Sequence, residues 1–407
     1  RVIITDHHQA PPVLPAAEVI LNPNQPGCPY PNKGLSGCGV AWRLLETLAT
    51  ELAGPSGPDP AAFLDLLALG SLADNVPLQG ENRALVRAGL RRMSSSANTG
   101  LRALLERTGV DVAALTSADI LFKVTPLLNA CGRMGSAETS LRLFLSADAR
   151  EANEHVDAMQ AANLRRRELD QSNTAEAVAQ VEAGQRDAAC LVAHSAAWHE
   201  GVIGIVAARL VDRYRRPAFV LAEDAEGFAK GSGRTVRGFN LHEALSARPD
   251  LFEKWGGHAF ACGFTIRSER IPELRAHVEA LARAAFSGGP PPAEVAPSLR
   301  VDLSEITGDG LVWLRRFEPF GPRNEAPLFY AEDVELHGDP RIVGEKHLKF
   351  MVRGGAETLD AIAFGFGQLA DTLAARGRIA RMAFQPEWNV FRGRRSIQLR
   401  VTALETD

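Results

Sequence analysis

Apolar positions along this chain follow two rhythms, and the rhythms change at identifiable places. Short runs without helical period, RVIIT at residues 1–5 and AEVILN at 17–22, read as strands, the first of them as a buried one. PNQPGCPYPNKGLSGCG follows, a turn-rich loop with four prolines and four glycines. Val40, Leu44, Leu45, Leu48 and Leu52 then recur at helical spacing, with Ser36 placed to cap their helix. A second helix is expected from about Pro60 to Ala73. This strand–helix alternation over the first ~145 residues predicts an α/β domain with a mainly parallel sheet. From Ala147 to Ala183 the chain is polar, helical in pattern and free of Gly and Pro, the signature of a helix bridging two domains.

A second α/β unit starts at AACLVAHS and continues through VIGIVAARLVDRYR and PAFVLAE. It ends at the proline-rich break SGGPPPAEVAP, residues 287–297, which reads as a linker. Short alternating runs after it, such as RIVGEKHLKFMVR and RMAFQPEWNVFRGRRSIQLRVTAL, predict a small β-barrel or sandwich.

Bulk composition narrows the function classes. The 407 residues suit two to four domains, and 45% hydrophobic with 23% charged residues is ordinary for a globular chain. No apolar run is long enough to cross a membrane. Five cysteines without a C-x-x-C pair argue against a disulfide scaffold and a structural zinc site, and suit the cytoplasm. The net charge of −4 argues weakly against a nucleic-acid partner, but its distribution matters more. Between Arg376 and Arg400 stand seven arginines and one acid, Glu387, interleaved with Phe384, Trp388 and Phe391. Charge with aromatic faces suits single-strand binding; a strand edge protected by arginines is the alternative, and the pattern leaves both open.

The candidate chemistry begins where the first strand ends, at Asp6, His7 and His8. A strand end delivers side chains to a crevice, where one imidazole can ligate a metal, the other can meet a phosphoryl oxygen, and the acid can ligate or orient. A polar strand end with a capping Asp is the bland alternative. In FLDLLALGSLADNVPL, Phe63, Leu67, Gly70 and Asp74 share one helix face, so Asp74 is expected to extend an apolar stripe and to need a partner; capping the next turn would also explain it. Further on, GSGRT places Ser232 and Arg234 two apart around Gly233, a hydroxyl and a guanidinium beside flexible glycines with exposed N–H groups, which would make a phosphate pocket; a Gly-rich turn is the alternative.

VIITDHH followed by ALGSLADNVPL resembles motifs three and four of the DHH phosphoesterase superfamily. LNACGRMGSAETSLRLFLS, WHEGVIGIVAARLVDRYRRPAFVLA, KGSGRTVRGFNLHEAL, GGHAFACGF and FEPFGPRNEAPLF follow in the order expected of bacterial RecJ-type exonucleases, over nearly the whole chain. The resemblance implies a DHH domain at residues 1–146, a connecting helix at 147–184, a DHHA1 domain at 185–288 and an OB-fold at 298–407. It implies a metal-dependent 5′–3′ exonuclease specific for single-stranded DNA, serving DNA repair and recombination. Two Mn²⁺ or Mg²⁺ ions would assist phosphodiester hydrolysis. His7 and Asp74 would be metal ligands, with Asp6 and His8 orienting ligands or touching phosphate. Arg133, Ser232, Gly233 and Arg234 would meet the DNA 5′ end, and Arg392 and Arg394 the strand. His258 is either a nucleic-acid contact where two domains face each other or a packed histidine, and His199 carries no chemistry. A single-strand-binding protein and a helicase are the expected partners.

Two departures qualify the resemblance. TPLLNACGR carries Thr125 and Leu127 where such proteins read G-P-R, so one strand contact is expected to weaken. Motifs one and two, with their aspartates, precede D-H-H in the family, yet five residues precede it here and no D-x-D run occurs elsewhere. Part of the metal site is therefore expected to be absent, and the chain alone is expected to hydrolyse little. Two other readings compete: a DHH phosphodiesterase of short oligonucleotides or cyclic dinucleotides, and a catalytically dead single-strand-binding fragment.

Overall fold

The computed structural model describes residues 1–11, 13–53, 57–287, 289, 295–344, 346–355, 357–391 and 393–406. Two strands open the chain, β1 (Ile3–Thr5) and β2 (Val19–Leu21), paired in parallel with Ile4 opposite Ile20. Helices follow: α1 (Gly37–Leu48), α2 (Leu64–Ala73), α3 (Gly80–Met93), α4 (Thr99–Thr108), α5 (Ser117–Asp119), α6 (Thr125–Met134), α7 (Glu138–Leu145) and α8 (Ala149–Gly184). Then come β3 (Leu191–Ser195), α9 (Ile203–Tyr214), β4 (Ala218–Glu223), β5 (Phe228–Arg234), α10 (Leu241–Ser246), β6 (Phe252–Gly257), β7 (Ala261–Arg267) and α11 (Ile271–Ala285). The last stretch holds β8 (Leu299–Arg300), α12 (Gly308–Leu314), β9 (Phe329–Glu335), β10 (Arg341–Val343), β11 (His347–Gly354), β12 (Glu357–Ala363), α13 (Ala370–Arg376), β13 (Arg378–Phe391) and β14 (Arg394–Glu405).

These elements form two compact units. One comprises residues 1–97, 110–122 and 295–407, the other 98–109 and 123–294. In the first unit the expected strand–helix alternation stops after β2, and the described residues up to Phe122 are otherwise helices and turns. Helical spacing dominates there, and no second run of β-branched residues competes with it. The opening strand is also not buried: Ile3 is 62% exposed, because its sheet has only two strands and one neighbour. Ser36 caps α1, its Oγ accepting from Gly39 N–H at 3.1 Å. Val40 is buried but Leu48 is exposed, and the side chain of Leu52 lies outside the described residues.

The C-terminal part of that unit is the barrel. β9, β13, β14, β12 and β11 pair in that order, and the Leu336–Val352 bridge with His337 N–H donating to Met351 O (2.9 Å) brings β9's end back to β11. Inside lie Phe350, Phe384, Met382 and Leu399, all nearly inaccessible. Phe384 is therefore core, not a stacking platform. Leu78 ties the barrel's approach to the helices before it: its N–H donates to Pro322 O at 2.7 Å and its side chain fills the space at Gly321.

The second unit is a five-stranded mixed sheet, ordered β3-β4-β5-β7-β6, in which only β3 and β4 run parallel. One face buries Val192, Phe219, Leu221 and Phe264 under α10 and α11. The other buries Leu191, Val220 and Ala218 under α9 and the end of α8. Covered on both faces, β4 is apolar without alternation. Helix α8 runs 36 residues, about 54 Å at 1.5 Å per residue, capped by Asp148.

Candidate metal centre and anion pocket

At the end of β1 the chain turns on itself around one carboxylate. Asp6 Oδ1 accepts from His7 N–H (2.8 Å), from His8 N–H (3.3 Å) and from His8 Nδ1 (2.7 Å). Burial pushes the Asp6 carboxyl up, but the His8 ring and the two backbone donors outweigh it and hold it below its usual value. With Nδ1 engaged, His8 keeps Nε2 as its open ring nitrogen. His7 sits 3.5 Å from Asp74 Oδ2, its ring at ordinary contact distance from where a Cβ on Gly37 would lie.

Asp6, His7 and His8 offer ligand atoms that all lie within 4.8 Å of one another. Asp74, at the C-cap of α2, faces His7 from the other side. The donors are carboxylate oxygens and imidazole nitrogens. The nearest candidate for a soft ligand, Cys38, is hydrogen-bonded to Ser36 at 3.1 Å, and burial pushes its thiol up. The set therefore fits a hard or borderline divalent ion such as Mn²⁺ or Mg²⁺.

Two expectations about Asp74 change. Phe63 is 44% exposed, lying in a short 3₁₀ turn before α2, so the apolar stripe starts only at the buried Leu67. Asp74's side chain is 39% exposed; the buried acid of α2 is Asp65, which accepts from Ser96 Oγ at 2.5 Å. Sequence reasoning also passed over the residues that hold the histidines in place. Asn22 Nδ2 donates to His8 O (2.9 Å) and Asn24 Nδ2 to His7 O (2.7 Å), while Asn24 N–H is itself bound by Asn22 Oδ1 (2.8 Å). The N-P-N spacing after β2, an Asx-turn signature, could have pointed to them.

The GSGRT segment is neither a turn nor a flexible loop. It is the inner strand β5, paired with β4 and β7, so its amides are taken up in the ladder rather than exposed to a ligand. The glycines serve packing: a Cβ at Gly231 would lie 2.1 Å from the Phe264 ring, and one at Gly233 would lie 2.6 Å from Cys262 Sγ. Gly233 faces inward, away from the ligand role expected of it. Alternation puts Lys230, Ser232 and Arg234 on the opposite face, and that period of two was the available signal for Lys230.

Those three side chains line a 640 Å³ pocket with Arg133, Lys254 and the start of α9. Arg133 reaches it from the end of α6, Nη1 donating to Gly201 O at 3.2 Å. Gly201 is necessary there, since a Cβ would lie 2.0 Å from Arg133 O. His199 Nδ1 accepts from Gly201 N–H at 3.0 Å and shapes that turn. Arg234 donates to Ser232 Oγ (3.0 Å) and Gly233 O (2.7 Å). Burial, with the nearby Arg133 charge acting the same way, pushes the Arg234 guanidinium below its usual value. Glu200 is the one carboxylate lining the pocket, and it pairs with Lys230. Arg234 is half-buried, Arg133 and Lys254 stand exposed beside it, and together at the N-terminus of a twelve-residue helix they make a candidate anion site.

Other candidates lie elsewhere. His258 is exposed on the β6–β7 turn, which removes the packed-histidine reading, and it does not line the pocket. Arg394 is exposed at the start of β14, and Arg392 lies outside the described residues, as does the side chain of Phe391. Of the expected basic run, Arg378, Arg381 and Arg400 pair with Asp333, Glu405 and Glu387, so less charge is free than the count suggested. Arg395 stacks 3.8 Å over Trp388.

Family models match in chain order: the DHH family N-terminal domain at residues 1–71, the DHHA1 domain at 187–284 and the RecJ OB domain at 298–403. The single-stranded-DNA-specific exonuclease RecJ of Dickeya dadantii is 35% identical over 99% of this chain, which covers 73% of that protein. This chain belongs to the RecJ family. The Bacillus subtilis RecJ exonuclease is 37% identical over 95% of the chain, which spans about half (49%) of its length. RecJ of Thermus thermophilus, solved with Mn²⁺, superposes over 100% of the chain with a TM-score of 0.85 at 32% identity, 58% of that structure being covered; its Mg²⁺ complex gives 0.82. The expected α/β architecture with DHH, DHHA1 and OB parts is thus borne out.

Proposed function

We propose that this RecJ-family chain contributes to 5′–3′ hydrolysis of single-stranded DNA, in DNA repair and recombination in the cytoplasm. Residues 1–146, 147–184, 185–288 and 298–407 would serve as its DHH domain, connecting helix, DHHA1 domain and OB-fold. The observation that carries the reading is the Arg133–Ser232–Arg234 pocket, whose cations outnumber its one carboxylate, Glu200, in a chain of this family.

His7 and Asp74 would hold a divalent ion, Mn²⁺ or Mg²⁺ as in the Thermus structures, with Asp6 holding His8 so that its Nε2 meets ligand or phosphate. When bound, the ion supplies an activated water and neutralises charge on the scissile phosphate. Arg133, Ser232 and Arg234 take the 5′-phosphate by charge and hydrogen bond, fixing which bond is presented. The barrel, with Arg394 and the Arg395–Trp388 stack, holds single-stranded DNA by charge and stacking. A domain of that kind favours long strands over the dinucleotides of the competing phosphodiesterase reading. With two carboxylates and two imidazoles near D-H-H, the chain by itself is expected to bind one Mn²⁺ rather than a pair and to turn over slowly.

The test combines binding and metal titration. Fluorescence anisotropy should rank a 5′-phosphorylated single strand above a duplex and a dinucleotide, and Arg234→Ala should weaken it about tenfold. Loss of the free-Mn²⁺ EPR signal should saturate near one ion per chain and disappear in His7→Ala. Equal affinity for duplex, or Mn²⁺ uptake unchanged in His7→Ala, sinks the reading.

A further inference from the structure

Helix α3 reads GENRALVRAGLRRM, which sets Arg83, Arg87 and Arg91 four residues apart on one face, about 6 Å between neighbours. Like charges at that spacing repel and destabilise a helix, so the stripe is not explained by α3's own stability. Arg83 is used internally, its Nη2 donating to Phe317 O at 2.9 Å. The guanidiniums of Arg87 and Arg91 make no hydrogen bond or ion pair among the described residues. Both side chains line two depressions of 460 and 410 Å³. Arg315 lines the second one opposite them, 3.7 Å from Glu318, the one carboxylate lining either depression. The segment that carries Arg315 continues the surface. Arg316 lies 3.9 Å over the Trp313 ring, and Trp313 and Phe317 are 60% and 58% exposed.

We propose that α3 and residues 313–317 form a second contact surface for single-stranded nucleic acid, with phosphates on Arg87 and Arg91 and bases on Trp313 and Phe317. The inference rests on the single-strand reading above. Two unpaired guanidiniums one helical turn apart can meet successive backbone phosphates, and the exposed side chains of Trp313 and Phe317 can meet bases. A carboxylate-rich peptide would use the arginines but give the two aromatics no role.

The experiment measures anisotropy of a labelled long oligo(dT) with the full chain, in EDTA, across a salt titration. Arg87→Ala/Arg91→Ala should weaken binding about tenfold and make the log–log salt slope shallower by about 1.4, two phosphates at about 0.7 each. Arg87→Lys/Arg91→Lys should keep the slope, and Trp313→Ala should weaken binding without changing it. Unchanged affinity and slope in the double alanine variant overturns the inference. So does a double variant that loses an acidic peptide while keeping oligo(dT). An Arg234→Ala arm with a 5′-phosphorylated dinucleotide separates the two readings: if Arg234→Ala weakens its ligand and the double variant does not, only this inference fails. If neither has an effect, the single-strand reading fails with it.

Discussion

The D-H-H cluster and the arginine pocket use opposite construction. The cluster stands at the end of a three-residue strand and is held by side chains: Asp6 gathers the turn, and Asn22 and Asn24 clamp the carbonyls of His8 and His7. The pocket stands on a strand paired along both edges, and its geometry is held by backbone and by glycines that let elements approach. One site should therefore yield to loss of polar side chains, the other to added volume.

The largest effect expected from this contrast is Gly201→Ala. The new Cβ meets a backbone carbonyl, Arg133 O at 2.0 Å, which no rotamer change relieves. Overpacking of this kind costs roughly 3 kcal/mol, and it displaces Arg133 directly. A thermal melt should fall by several degrees, and affinity for a 5′-phosphorylated strand about tenfold, with Mn²⁺ uptake at D-H-H unchanged. Wild-type melting and affinity would mean that the pocket is softer than its construction implies.

That contrast marks what the sequence could and could not disclose. The order of the parts was legible because each carries its own rhythm: polar helix at 147–183, unbroken apolar β4, short alternating runs in the barrel. D-H-H was legible as a cluster because its residues are adjacent, whereas Asp74 was tied to it only by the family resemblance, and the fold brings it to 3.5 Å from His7. In GSGRT the glycines suggested a flexible backbone with free amides, and only pairing by β4 and β7 shows that they make room for Phe264 and Cys262. Lys254 joined the pocket through strand register opposite Thr265, a long-range fact with no local signal. The basic run at 376–400 was overcounted for the same reason: its counter-ions Asp333 and Glu405 come from paired strands and a strand end.

A smaller effect should come from the side-chain-built site. Asn24→Ala removes the donors to His7 O and Lys33 O and should cost about 1 kcal/mol. Residues that orient ligands typically matter more for the metal than for the fold, so Mn²⁺ affinity by EPR should drop roughly tenfold. Gln25→Ala, whose amide bonds Ile20 O, serves as control and should leave Mn²⁺ affinity alone. If both variants weaken Mn²⁺ equally, the asparagine clamp has no special role.

The smallest effect separates the two sites by pH. Asp6 is held below its unfolded value of 3.8, because the His8 ring and the His7 and His8 amides outweigh its burial. A depressed carboxyl contributes stability that is present above the unfolded value and lost as pH falls through the folded one. The contribution is small, since the carboxyl is close to solvent. Amide NMR shifts of His7 and His8 should titrate together with a midpoint below 3.8, and Asp6→Asn should abolish that titration. Amides of β5 should not follow it, because Arg234 keeps its charge throughout the acid range. A midpoint above 3.8 would show that the turn does not depend on the Asp6 charge, and the side-chain-built half of the comparison would fail.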